Sequence, residues 1–335
     1  MKIVRLGPSS ESQFARHLVA TLRKRLRGPA HLEVRLFFDV LPWQLVTHRL
    51  KRLVRRFRLR KSVSHPMNVL IRLEPEVVVP SQYRLHQHDF DYVFDVGFRN
   101  SSPFPWPQDP ESLRLRERTL GLRLNQVCMI SANKFSPVEQ ELYSLRKLFA
   151  LKDSRIHLYG RGWDVGFSRK LLTAVKSLAF AVRRPSLSAA RKLIIWLRRN
   201  PESKGEVIDK FETYQKYKYA LIIENDSTYV SEKLFDALAA GCLPIYVGPV
   251  VISEQWIESL IVRSNATLKG LDTALELAFS WDYDDWLLQL KTAFVSKNLE
   301  AHHFKRVVSA ISEHISELAL AHNDEEAFSP KAPGR

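Results

Sequence analysis

The sequence predicts an α/β protein of two domains that holds its ligand beyond the strand ends of a parallel sheet. Three observations lead there. The 335 residues exceed what one core of ordinary size organises. Hydrophobic residues make up 45% of the chain, enough for a sizeable core. From Gln126 onward, short apolar β-forming runs alternate with segments of helical period, as in strands joined by crossover helices.

The second half is the more regular. Val127–Ser131, Ile156–Tyr159, Lys218–Ile223 and Leu243–Val247 read as strands. Pro137–Leu151 reads as a helix with Leu142, Leu145 and Phe149 on one side and Ser136 placed to cap it. A second helix starts at Ser231 and stops at Gly241, a residue suited to the left-handed position just past a helix end. Ser253–Leu260 is a third. Parallel sheets bind ligands beyond their carboxyl ends, which singles out Asn133-Lys134, Gly160-Arg161, Glu224-Asn225 and Gly248-Pro249. In the first part of the chain, His31–Leu41, Met67–Leu73 and Phe90–Val96 read as strands. Leu50, Leu53, Val54 and Phe57 mark an amphipathic helix over Trp43–Leu59 whose other face is basic. Ser101–Pro110 is a loop or linker. The predicted division is a domain at 1–123, a domain at 124–322 and a flexible tail at 323–335.

The net charge of +15 is concentrated. Arg49–Lys61 holds eight Lys/Arg and Val165–Pro201 nine, with no acid in either, so the remainder is close to neutral. Such segments suit an anionic partner. No nucleic-acid motif and no interleaved aromatics accompany them, which disfavours nucleic acid. Leu171, Leu172, Val175, Leu178, Ala179 and Val182 share one helical face of the second segment, so an anionic membrane surface is the expected partner. The two cysteines, Cys128 and Cys242, sit in apolar runs and predict no disulfide. Met1–Gly7 lacks the apolar core of a signal peptide, and no run of about 18 apolar residues is present. These features predict a cytoplasmic protein held peripherally at the inner membrane. Asp282-Tyr283-Asp284-Asp285 reads as an acidic first helical turn, and His302-His303 point apart, so no metal site is predicted.

The residues that carry chemistry run from Glu224 to Lys233. A strand ends in Glu224-Asn225, a short loop delivers Tyr229, and a helix begins near Ser231 with Glu232 and Lys233 in its first turn. A helix start with a lysine attracts phosphate, and a neighbouring carboxylate accepts from sugar hydroxyls. The same residues also make an ordinary capped helix.

The run YKYALIIENDSTYVSEKLFDALAAGCLPIYVGP, Tyr217–Pro249, resembles the signature of the α-1,3/α-1,4-fucosyltransferases, glycosyltransferase family ten. Ser131–Trp163 also resembles bacterial members of that family. The resemblance implies a GT-B-like fold: two Rossmann-like domains with GDP-fucose in the C-terminal one. It implies inverting transfer of fucose to an acceptor glycan without a cofactor or divalent metal. By matching position, Asn225, Tyr229, Glu232 and Lys233 would contact the donor, with Glu224 serving the fold. The family often has a diphosphate-binding arginine where this chain has residues near Glu139. Lys134 is the favoured substitute, with Arg146 also nearby and Arg161 a weaker candidate. The general base implied is Glu74, with Glu76 as runner-up. The acceptor implied is N-acetylglucosamine or a related sugar of a bacterial surface polysaccharide, including lipid-linked oligosaccharides.

Overall fold

The computed structural model describes residues 2–6, 9–26, 33–39, 66–74, 78, 90–97, 104–105, 114–116, 122–181, 187–250, 252–296 and 304–328. The predicted basic helix at Trp43–Leu59, Glu76 and His302-His303 lie outside these residues. The chain forms two compact units, Met1–Val96 with Ser102–Pro107 and Phe304–Arg335, and Gly97–Ser101 with Gln108–His303. No helix among the described residues is long and apolar enough to cross a membrane.

The first unit is built on four parallel strands in sequential order: β1 (Lys2–Leu6), β2 (Glu33–Phe38), β3 (Met67–Arg72) and β4 (Tyr92–Asp95). Every residue of β3 is buried, as expected of a strand covered on both faces. Arg72 and Asp95, opposite each other on β3 and β4, form a buried two-bond ion pair, which satisfies both charges inside the sheet. Helix α1 (Gln13–Arg25), capped by the Ser12 hydroxyl, buries Phe14, Leu18 and Leu22 in this core.

The second unit carries a five-stranded parallel sheet: β5 (Leu124–Ile130), β6 (Ile156–Tyr159), β7 (Tyr217–Ile223), β8 (Leu243–Val247) and β9 (Val262–Arg263). Its spatial order is β6-β5-β7-β8-β9. The chain steps from β5 to one side, then returns to the other side with β7. The order therefore reverses between β5 and β7, where strand carboxyl ends leave a crevice. The helices are α2 (Tyr143–Lys152), α3 (Phe167–Ala181), α4 (Leu187–Leu197), α5 (Lys210–Tyr214), α6 (Lys233–Ala239), α7 (Leu268–Ser280) and α8 (Tyr283–Ser296), with a 3-10 helix at Ile252–Leu260.

Three expectations are corrected. The last helix, α9 (Phe304–Phe328), belongs to the first unit, not to a domain ending at 322. Val307, Ile311, Ile315 and Ala319, spaced four apart, bury one stripe with the residues of α1 and the β1–β4 sheet. The predicted tail is helical through Phe328; residues 329–335 lie outside the description. Ser136 does not start α2, which begins at Tyr143, where the Glu141 carboxylate accepts from the Ser144 N–H at 3.0 Å.

Other readings agree in detail. Gly241 (φ +71°) ends α6 with Cys242 N–H donating to Ala237 O and Gly241 N–H to Leu238 O, the paired bonds of a left-handed helix stop. The Asp282 carboxylate accepts from the N–H groups of Asp284 and Asp285, so the acidic run is a helix cap. Cys242 is fully buried and its thiol, pushed up to about 12 by burial, donates to Tyr214 O.

Candidate active site

At the point of strand reversal lies a cavity of about 210 Å³. Ile130, Ser131 and Ala132 at the end of β5 line it, as do Gly160 and Arg161 after β6, Lys210 and Tyr214 of α5, and Glu232, Lys233 and Asp236 at α6. Backbone conformation makes the opening possible. Gly160 has φ +123°, and a Cβ there would stand 2.2 Å from Ser131 O. Only glycine lets β6 turn this close to the end of β5. The Ser131 carbonyl also accepts from the Trp163 ring N–H at 2.8 Å. The buried Ser131 hydroxyl has no hydrogen-bond partner among the described residues.

The segment after β7 is organised by a carboxylate. Glu224 is fully buried and accepts from the Ser231 N–H at 3.0 Å and from its hydroxyl at 2.6 Å. Lys233 Nζ donates to Ser231 Oγ at 2.8 Å and stands 3.5 Å from Glu224. Glu224 thus closes the loop of residues 225–230 and fixes where Lys233 begins its reach, a supporting role. Glu232, not Ser231, is the residue before the first helical position, and its side chain makes no cap bond; Ser231 Oγ accepts from the Lys233 N–H at 3.4 Å.

Lys210 completes the cluster. Its Nζ lies 3.3 Å from Glu232 Oε1 and 3.2 Å from Asp236 Oδ2. Burial alone would raise the Glu232 carboxyl, but the ammonium groups of Lys233 and Lys210 outweigh it and hold the pKa at about 2. Burial would lower Lys210, but Glu232 and Asp236 outweigh that and raise it. Glu232 is therefore a fixed anion between two cations.

Of the site residues read from sequence, Glu232, Lys233 and Arg161 line the cavity. Arg161 is exposed and pairs with Glu206 at 3.0 Å. Asn225, Tyr229, Lys134 and Arg146 are not among its lining residues. Arg146 is buried, donating to Ile223 O and at 3.0 Å to Asn225 Oδ1, and burial lowers its pKa. It ties α2 to the end of β7 and holds the Asn225 side chain. Tyr229 is buried. Lys134 is exposed and borders a separate small crevice with Ser136 and Trp196. Sequence reasoning missed Lys210, Asp236 and Ser131.

Glu74 follows β3 in the first unit. Its N–H donates to Asp39 Oδ1 at 3.1 Å, and the Leu73 N–H donates to the same oxygen at 2.9 Å. Asp39, buried with φ 50°, also accepts from the Ser9 hydroxyl at 2.7 Å. A non-glycine residue held in that conformation, with its carboxylate gripping the next strand's end, fixes the backbone of Glu74. The strand predicted over His31–Leu41 runs through Asp39, whereas β2 ends at Phe38.

No protein-family model matches this chain. Over 58 residues it is 43% identical to a putative fucosyltransferase-like protein of Arabidopsis thaliana, a match covering 17% of this chain and 11% of that relative. The crystal structure of an α1,3-fucosyltransferase superimposes with a TM-score of 0.52 at 13% identity, covering 94% of this chain and 90% of that one. A glycosyltransferase from Rickettsia africae gives 0.48 at 9% identity, covering 95% and 98%. With its two parallel-sheet units, the chain has the GT-B fold of glycosyltransferases.

Proposed function

We propose that this protein moves L-fucose from GDP-fucose to a hydroxyl of an acceptor glycan, with inversion at the sugar C1. The carrying observation is the cavity at the strand reversal, where Lys210, Lys233 and an ionised Glu232 face one space. The two ammonium groups suit a diphosphate, and Glu232, an acceptor only, suits ribose or fucose hydroxyls. The similarity to the fucosyltransferase-like relative supports the choice of sugar.

In this reading the acceptor oxygen attacks C1 from the side opposite the diphosphate. The bond from C1 to the phosphate oxygen breaks, and GDP leaves with the electron pair, its charge offset by Lys233 and Lys210. A carboxylate takes the proton of the acceptor hydroxyl, and Glu74 is the residue proposed for it. Lysines supply the countercharge, so turnover is expected to persist in chelator. The acceptor proposed is N-acetylglucosamine or a related sugar of a bacterial surface polysaccharide, linked α-1,3 or α-1,4.

Calorimetric titration with GDP, UDP and GDP-fucose tests the donor. Selective binding of the guanine nucleotides is expected; equal weak binding of all three would refute the assignment. Lys233→Ala should weaken GDP about tenfold or more, the loss of one charge-assisted contact. Glu74→Gln should leave GDP-fucose binding intact while abolishing transfer to acceptor sugars.

A further inference from the structure

We propose that the α3–α4 insert is a docking surface for an anionic lipid bilayer. This goes beyond the transfer reaction and does not depend on the donor's identity. The insert leaves the sheet just after the Gly160–Gly162 turn, at the same end of the sheet as the cavity.

Helix α3 meets its own unit through Lys170 and Ala174, which are buried. Its exposed residues include an apolar set beside the polar one. Phe167, Leu171, Leu172 and Val175 recur at i, i+4, i+5 and i+8, so they form one stripe, and all are exposed. Leu187 and Ile194 do the same on α4, i and i+7 apart. Across the six, exposure runs from 44 to 92%. Scattered surface apolar residues need no explanation, but a stripe of four on one helix, with two more exposed on the next, does.

Charge decides what covers it. Arg169, Lys176, Arg191, Arg198 and Arg199 are exposed on the same segment, and residues 165–201 contain no acid. The core of a protein interface is depleted in charged residues. Here aliphatic side chains beside unopposed cations match a lipid interface, where the chains enter the acyl boundary and the cations meet anionic headgroups.

The insert is also held firmly enough to serve as an anchor. Lys147 Nζ donates to Trp196 O, Arg198 O and Asn200 Oδ1 at 2.7 to 3.0 Å, and Lys170 Nζ donates to Arg198 O at 2.7 Å. These bonds occupy carbonyls at the end of α4, which a helix leaves unpaired. The Trp196 ring N–H donates to Lys170 O at 2.9 Å, joining α4 to α3.

Flotation of the full chain tests the proposal, using vesicles of phosphatidylcholine alone or with about one third phosphatidylglycerol. The protein should float with the anionic vesicles only, and binding should fall as salt rises. Leu171→Gln/Leu172→Gln/Val175→Gln should reduce the bound fraction about tenfold or more, as should Arg169→Glu/Lys176→Glu/Arg191→Glu. All six residues are exposed, and unchanged thermal melts would confirm that both variants fold. Two independent sets guard against the failure of one. Wild-type protein that stays down with anionic vesicles would overturn the proposal. So would folded variants that float as well as wild type. A wild-type dimer in light scattering that both variants convert to monomer, with flotation unchanged, would assign the face to a second copy and equally overturn it.

Discussion

Glu232 concentrates the electrostatics of the cavity, because a carboxylate between two lysines must stay ionised to hold them. Its pKa of about 2 lies below the ordinary 4.5 of a glutamate. Lowering the folded-state value means that the carboxylate stabilises the fold above about pH 4.5. That contribution fades as pH falls from there through about 2. Thermal melts of wild type and Glu232→Gln should therefore differ by a constant gap at neutral pH that closes below pH 4.5. A gap that stays constant down to pH 2 would contradict the lysine clamp. Glu232 and Lys233 were legible because they stand together in a dense run of recognisable residues. Lys210 was not, because its partners lie 22 and 26 residues away and only folding brings them together. The direction of Arg146, toward Ile223 O, was hidden for a related reason, being a property of helix packing.

At the level of elements, the insert is tied down through backbone carbonyls. Lys147 is buried among carbonyls with Lys170 and Arg198 nearby. Burial first, then those two cations, lowers its pKa from 10.5 to about 7. For a base depressed in this way the unfolded chain binds more protons between pH 7 and 10.5, so stability rises with pH across that window. Lys147→Met should abolish the rise, measured as denaturation midpoints at pH 6.5, about 8.5 and about 10 relative to wild type. The β/α alternation of the second unit was readable because each buried strand is a continuous apolar run, and Gly241 announced the end of α6. The start of α2 was not readable. Ser136 is a good cap by type, but the Glu141 side chain does the capping instead, and composition does not rank the two. The apolar stripe of α3 was visible as periodicity, whereas its exposure is a fact of the fold.

For the whole molecule, the placement of α9 matters most. Val307, Ile311, Ile315 and Ala319 are spaced four apart, but that spacing, which the sequence reading did not use, does not say which sheet they cover. Truncation after residue 303 would strip these residues and Val308 from the first unit's core. Burying five apolar side chains is worth on the order of 10 kcal/mol as an upper figure, comparable to a domain's entire stability. The truncated chain should lose cooperative unfolding of the first unit in calorimetry while the second unit keeps its transition. Proteolysis should then cut within residues 2–96 first. The same return of the chain bears on synthesis. A ribosome delivers the β1–β4 sheet first, yet the helix that covers it arrives last, after the entire second unit. The usual order of maturation along a nascent chain is thereby inverted. Until α9 emerges, the part of this core that its apolar stripe fills stays open, although α1 is already made.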